Sequence, residues 1–459
     1  MRKINVLELA DRAQFSRFHL SVLLWCGLVI IFDGYDLAVA GIALPLIMKS
    51  MGVGAASAGV MVSAALVGMM LGAIIFGSIA DQIGRRRAIG ISVVLFSVGT
   101  VATGFTNDPI VFGAVRFIAG LGIGGVLPNV VAEMTEFSPK RIRTTMVTFM
   151  FSGYAVGGML AAATGKAIME TYGWQTLFFI AAIPLFLLPF ALKALPESMP
   201  FLIRKRRVDE LRTIASCLDS NFRSLPDDEF VATSSGTPQS AGMRSLFGEG
   251  RGFSTLMIWT VFFMCLFMVY SLSSWLAKLM VSAGYTLGSS LTFVLVLNFG
   301  AVLGAIGGGW LADRLHIKYV LMAFFLIAAA SIGILGFKTP TELRFLLVGI
   351  AGATTIGTQL LAYAYVGQFY PASSRGTGVG WASGVGRTGA IIAPIVIGAL
   401  VEMNLKLEHN FYAIAIPGLI AFVAMAFVNH GRYACAAESA LSQDEVRQAP
   451  ASSDFRLIE

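Results

Sequence analysis

Nine stretches of this chain contain no Lys, Arg, Asp or Glu: 50 to 80, 88 to 107, 144 to 165, 171 to 192, 252 to 277, 279 to 312, 319 to 337, 345 to 374 and 409 to 430. A helix needs about 20 apolar residues to cross the hydrocarbon layer, and several of these stretches reach that length. In lipid a backbone must satisfy its own N–H and C=O groups, so helix is the form they take. Three more segments are hydrophobic but carry charge: 18 to 48 with Asp33 and Asp36, 110 to 135 with Arg116 and Glu133, and 376 to 400 with Arg387. The count predicts an all-α polytopic membrane protein of twelve transmembrane helices. With 56% hydrophobic and 13% charged residues among 459, an ordinary soluble domain is excluded.

The net charge of +7 matters less than its placement, because Lys and Arg gather in cytoplasmic loops of membrane proteins. Arg85, Arg86 and Arg87, then Lys140, Arg141 and Arg143, then Arg204 to Arg207, then Arg314 and Lys318, then Arg375 fall in alternate loops. The loops between carry isolated Lys49, Lys166, Lys278 and Lys406, with Lys338 and Arg344 weakening the contrast at one of them. Both termini are therefore expected in the cytoplasm, as an even helix count requires. The first hydrophobic segment is too long for a signal core and lacks a small-residue cleavage site, so it is read as retained. Cys26, Cys217, Cys265 and Cys435 have no metal-ligand spacing, and neither a disulfide nor a metal is expected.

Asp33 and Asp36 sit where the first helix is half way across. Each would cost about 2.5–3.5 kcal/mol facing lipid, so both should face a cavity. Positions three apart on a helix share a stripe, which turns both carboxyls the same way. Two such groups at low dielectric titrate as a coupled pair, a proton or cation relay. The bland alternative is a polar pair satisfied by neighbouring hydroxyls. Arg387 lies twelve residues beyond Arg375, roughly 18 Å along a helix and near the bilayer midplane. Its fixed charge and planar fork suit a substrate carboxylate, unless it forms a permanent salt bridge with Asp33, Asp36 or another acid. Tyr270, Asn298 and Tyr363 are candidate hydroxyl or ring contacts. Glu133 reads as an interfacial carboxylate.

A long repeat organises the whole chain. Gly77-x-x-x-Asp81 recurs as Gly309-x-x-x-Asp313, and Glu136-Phe137-Ser138-Pro139 with Arg143 recurs as Gln368-Phe369-Tyr370-Pro371 with Arg375, both at an offset of 232 residues. Two motifs in one register imply a parallel duplication of six-helix blocks. The expected organisation is a cytoplasmic N-terminus at 1–17, a six-helix bundle at 18–195, a cytoplasmic connector at 196–252, a second bundle at 253–430 and a disordered tail at 431–459. In the connector, Val208, Leu211, Ile214 and Ala215 have helical spacing and predict a solvated surface helix at the inner leaflet.

The segment Gly77-Ser78-Ile79-Ala80-Asp81-Gln82-Ile83-Gly84-Arg85-Arg86-Arg87 resembles the signature loop of the major facilitator superfamily, and the resemblance covers nearly the full chain. Its second copy has His316 where the first has Gly84. Within that superfamily, Asp33-Gly34-Tyr35-Asp36 and the run from Arg116 to Gly125 resemble the aromatic acid/proton symporters, and the amino-terminal half resembles the benzoate-transporter branch. The resemblance implies proton coupling at Asp33 and Asp36, and a coupling or substrate-orienting role for Arg116 unless an acid pairs with it. It also implies an inner gate built from Asp81, Arg85, Glu136 and Arg143, with Asp313 and Arg375 as second-half counterparts; simple interfacial anchoring is the alternative. The implied partners are an aromatic carboxylate, protons and the lipid of a bacterial inner membrane, with one chain as the working unit.

Enzyme chemistry has no support, since the chain holds no phosphate-binding Gly-Lys-Ser/Thr loop and no His pair at metal spacing among four His. No cofactor is expected, and the scattered basic residues do not make a nucleic-acid face. The expected function is uptake of a small aromatic acid with protons by alternating access. A proton antiporter exporting drugs or acids is the rival, and a sensor on a transporter scaffold is the distant one.

Overall fold

The computed structural model describes residues 3–218, 228–231, 243–370 and 374–429. Part of the connector, Pro371, Cys435 and the tail lie outside these residues. Among the described residues twelve helices are long and apolar enough to cross a membrane. The chain opens with a strand, β1 (Lys3–Asn5), and a short helix, α1 (Val6–Arg12). Five unbroken spans follow: α2 (Arg17–Met51), α3 (Ala55–Ile83), α4 (Arg85–Thr103), α5 (Pro109–Phe137) and α6 (Arg143–Tyr172). The sixth is divided into α7 (Gln175–Phe179), a 3₁₀ turn (Ile180–Ala182) and α8 (Ile183–Ala194). Pro184 lacks the N–H that would bond the Ile180 carbonyl in an α pattern, which accounts for the division, while Pro189 is carried inside α8. The connector carries α9 (Met199–Arg204), α10 (Val208–Leu218) and β2 (Glu229–Val231). The last six spans are α11 (Gly252–Ser282), α12 (Leu287–Arg314), α13 (Ile317–Leu335), α14 (Thr341–Phe369), α15 (Arg375–Glu402) and α16 (Leu407–Phe427).

Local sequence sets the helix ends. Asp108 caps α5, its carboxylate accepting from the N–H groups of Ile110 and Val111 at 2.8 and 3.0 Å, with Pro109 at the first helical position. Gly84, at φ 97°, makes the left-handed turn from α3 into α4. His316 turns the second copy of that loop at φ −62°, so this copy needs no glycine.

The 232-residue repeat is written into the packing. Within the first six spans α3 lies on α5 and α2 on α6; within the last six α12 lies on α14 and α11 on α15. Gly68, Gly72 and Gly120 press against the backbone at Phe117, Leu121 and Ala65, and 232 residues later Gly300, Gly304 and Gly352 press against Gly349, Ala353 and Leu297. A Cβ at any of the six would come within 2.5–3.0 Å of the facing carbonyl carbon. In lipid such close approach replaces the hydrophobic drive between helices with van der Waals contact.

The two sets of six meet through α3 with α15, α12 with α6, and α11 with α2. The bridges gather far from the basic loops. Ser63 donates to the carbonyl of Ile391 at 2.7 Å, the N–H of Ala56 to Glu402 at 2.6 Å, and Lys166 to Thr292 at 3.0 Å. Gly41 abuts the backbone of Ser273 and Ser274, and Gly59 that of Pro394. The protein is thus sealed at the face opposite the basic loops. At the basic-loop face, Asp81, Asp313, Arg314 and Arg375 are exposed, and none is in an ion pair among the described residues.

Outside the spans the structure departs from the all-α expectation. β1 and β2 pair in parallel, joining the N-terminus to the connector. The apolar face of α10 is not turned to lipid or solvent either: Leu211, Ile214, Ala215 and Leu218 are buried in a cluster with Val6, Ala10 and Phe137. The chain's own first residues cover it, which the spacing of α10 alone does not disclose.

Candidate functional site

The four residues Asp33 to Asp36 divide their work. Gly34 lets α2 touch α6, since a Cβ there would come within 2.9 Å of the Tyr154 backbone. Tyr35, also buried, donates to the carbonyl of Leu177 at 3.1 Å. Asp36, fully buried, accepts from Arg116 Nη1 at 3.1 Å on each oxygen and from the Thr100 hydroxyl. Arg116 Nη2 reaches the Asp36 carbonyl at 3.3 Å, and the Phe178 ring lies 5.9 Å from the guanidinium carbon. Arg116 is 1% exposed, so its fork is spent on Asp36 inside the first six spans.

Asp33 is also fully buried, but neither of its oxygens has a hydrogen-bond partner among the described residues. The two acids therefore occupy different settings, one clamped and one bare, where the sequence suggested a coupled pair facing one cavity. Arg387 approaches Asp33 from α15 in the other half, within electrostatic reach. It is half-buried and forms no ion pair among the described residues. Tyr154 of α6 and Tyr270 of α11 lie within interaction reach of each other, of Asp33 and of Arg387. Tyr363 of α14 neighbours Tyr270, shares a 3.1 Å hydrogen bond with Ser383, and meets the Phe262 ring edge-on at 5.0 Å. Asn298 stands apart from this group. It faces Gly158 in the seal between α12 and α6, and its amide donates to Val294 at 2.9 Å.

Of the six gate candidates, the structure joins only Arg85 and Glu136, as an ion pair. Glu136 also accepts from the Ser198 hydroxyl at 3.1 Å and the Met199 N–H at 2.5 Å, while Glu197 accepts from the Arg86 N–H at 3.2 Å. Arg143 pairs with Asp11 from the N-terminal helix and donates to the Ser138 carbonyl at 3.1 Å. Asp81, Asp313 and Arg375 are exposed at the basic-loop face and in no ion pair among the described residues. Glu133 corrects the interfacial reading: it is fully buried, because α2, the start of α4 and the first connector residues close around this end of α5.

Sequence reasoning missed Tyr154, Thr100, Asp11 and the Glu197–Met199 turn. Tyr154 had one usable signal. Its repeat counterpart is Gly386, so a bulky phenol stands where the other half needs a small packing residue.

Among the described residues, twelve helices long and apolar enough to cross a membrane, joined at one face, enclose an acid without a hydrogen-bond partner and a guanidinium without an ion pair from opposite halves, the arrangement of an integral membrane transporter. A family model for the Major Facilitator Superfamily matches residues 26–360 and again 299–439. The chain belongs to the Major Facilitator Superfamily. It is 44% identical over 437 residues to a benzoate transport protein of Acinetobacter baylyi, covering 94% of each chain. It is 35% identical to a gentisate transporter of Corynebacterium glutamicum, over 86% of this chain and 84% of that one. With a 4-hydroxybenzoate transporter of Pseudomonas putida it shares 30% identity, over 92% and 95%. Among solved structures, the xylose transporter of E. coli in a partially occluded inward-open conformation aligns with TM-score 0.72 at 17% identity, over 91% of this chain and 99% of that one. This likeness establishes the fold.

Proposed function

We propose that this protein is a proton symporter importing a small aromatic carboxylate, benzoate-like or hydroxybenzoate-like, by alternating access. The observation that carries the reading is the meeting of bare Asp33 with unpaired Arg387 between the two halves. The relatives named as carriers of benzoate, gentisate and 4-hydroxybenzoate support the cargo class. A guanidinium keeps its charge and offers a planar fork that takes a carboxylate in two parallel hydrogen bonds. With Asp33 ionised, Arg387 is already balanced, and an incoming carboxylate meets like charge. With Asp33 protonated, the guanidinium is open to the substrate. Proton and substrate then favour each other, with a coupling of about 1–3 kcal/mol typical of linked sites. Tyr154, Tyr270 and Tyr363 supply hydroxyls for the carboxylate and rings for the arene, and Phe262 an apolar edge. The Asp36–Arg116 clamp fixes α2 against α5 and so keeps Asp33 turned to the centre.

The excess of Lys and Arg assigns the basic-loop face, with both termini, to the cytoplasm of a bacterial inner membrane. The conformer described above is then inward-facing. The bundles at 18–195 and 253–430 rock about the site within a single chain, and closing the inner face brings Asp81, Arg85, Glu136, Asp313 and Arg375 together as a gate. Arg143 joins that gate only after leaving Asp11.

The test is uptake of labelled benzoate into proteoliposomes under an imposed inward proton gradient, with a competition panel of hydroxybenzoates, protocatechuate and phenylpropionates. Symport predicts accumulation that an uncoupler collapses. Stimulation by an outward substrate gradient with proton counterflow would assign the protein to export instead, and binding without flux would make it a sensor.

A further inference from the structure

Glu133 has no part in the cycle above, yet it is among the least satisfied groups in the molecule. It is 0% exposed, and neither carboxyl oxygen has a hydrogen-bond partner among the described residues. The titratable groups around it are the Cys26 thiol of α2, Arg85 and Arg86 at the start of α4, Glu197 of the connector, and Glu136 one turn further along α5. An anion at Glu133 would be a third carboxylate beside Glu136 and Glu197, with no donor of its own. A buried charge without a partner is strongly disfavoured. The repeat gives an independent sign that the scaffold asks for no charge here, because the counterpart position holds Tyr365.

Two guanidinium groups stand near enough to answer an ionised Glu133, Arg85 with the larger influence and Arg86 with the smaller, and the stronger of the two is already engaged. Arg85 is bound to Glu136, and Glu136 in turn holds the connector through Ser198 and Met199. Arg85 stays 23% exposed and has room to swing. Two carboxyls competing for one guanidinium make a two-position device, in which the protonation of one decides the partner of the other.

We propose that Glu133 is a proton-binding site, occupied in the conformer described here, and that its deprotonation draws Arg85 from Glu136 and frees the Ser198–Met199 turn. The ligand is a proton exchanged with the basic-loop face. The inference needs neither the aromatic cargo nor the coupling role of Asp33, so it stands or falls separately from them.

The experiment uses the full chain in lipid and needs no substrate. Infrared difference spectroscopy between wild type and Glu133→Gln near neutral pH should show a protonated-carboxyl C=O band present in wild type and lost in the variant. Hydrogen exchange of the Ser198–Arg204 peptide, corrected for the intrinsic pH dependence of exchange, then reads the latch. Wild type should lose protection at the Met199 amide as pH rises, and Glu133→Gln should stay protected throughout. Glu133→Tyr, which installs the residue of the repeat position, serves as a second neutral variant should the first fail to fold. A difference spectrum containing only carboxylate bands, or the same pH-dependent protection in wild type and both variants, would overturn the proposal.

Discussion

Breaking the Asp36–Arg116 clamp should do more damage than deleting it. Both side chains are essentially without solvent contact, and Arg116 spends its two terminal nitrogens on Asp36 and Thr100. Asp36→Asn leaves a guanidinium buried without a counter-charge, and Arg116→Met leaves a carboxylate in the same position. Removal of one member of such a pair destabilises by about 3–5 kcal/mol, whereas replacing both by groups of similar volume is often close to neutral. The assay is the thermal midpoint of the purified protein in detergent, measured for Asp36→Asn, Arg116→Met and the double variant as a cycle. Each single change should lower the midpoint sharply, and the double variant should recover most of the loss while transport stays impaired. A double variant as unstable as the sum of the singles would refute the reasoning, because Asp36 and Arg116 would then act independently.

Three more outcomes are expected. Arg387→Lys keeps the charge but loses the fork, so competition binding should show weaker affinity for benzoate by about tenfold or more, in line with 1.4 kcal/mol per decade; unchanged affinity would make Arg387 merely structural. Gly34→Ala pushes a methyl into the Tyr154 backbone, and overpacking of about 1–3 kcal/mol should lower both the thermal midpoint and substrate affinity, the latter because Tyr154 moves. Glu402→Gln weakens the cap that joins α15 to the N-terminus of α3, by about 1 kcal/mol, and should favour the conformer open at the opposite face. A cysteine in place of buried Ala58 should then react faster with an impermeant maleimide, and an unchanged rate would count against the seal described here.

Much of this architecture was legible because lipid leaves a backbone so few options. Charge-free stretches fixed the spans, and the two recurring motifs disclosed the 232-residue repeat that the glycine contacts at Gly68 and Gly300 then embody. Asp33, Asp36, Arg116 and Arg387 stood out for the complementary reason: their repeat counterparts are Cys265, Met268, Val348 and Ala155, so the fold itself asks for no charge there. Which of them pair was not legible, since Asp36 and Arg116 are 80 residues apart and periodicity says nothing about partners between helices. The gate was only half legible. Its residues sit on both halves, and here Asp81, Asp313 and Arg375 are exposed and in no ion pair among the described residues while Asp11 holds Arg143. The burial of Glu133 depends on the fold of the connector start, which no local pattern near residue 133 encodes.

The central claim is that a proton on Asp33 opens Arg387 to the substrate, and simultaneous recording of labelled benzoate and internal pH in proteoliposomes tests it most directly. Wild type should acidify the interior as benzoate enters, while Asp33→Asn, permanently neutral, should still exchange benzoate across the membrane but neither accumulate it nor move protons. Gradient-driven accumulation with proton entry in Asp33→Asn would contradict the account.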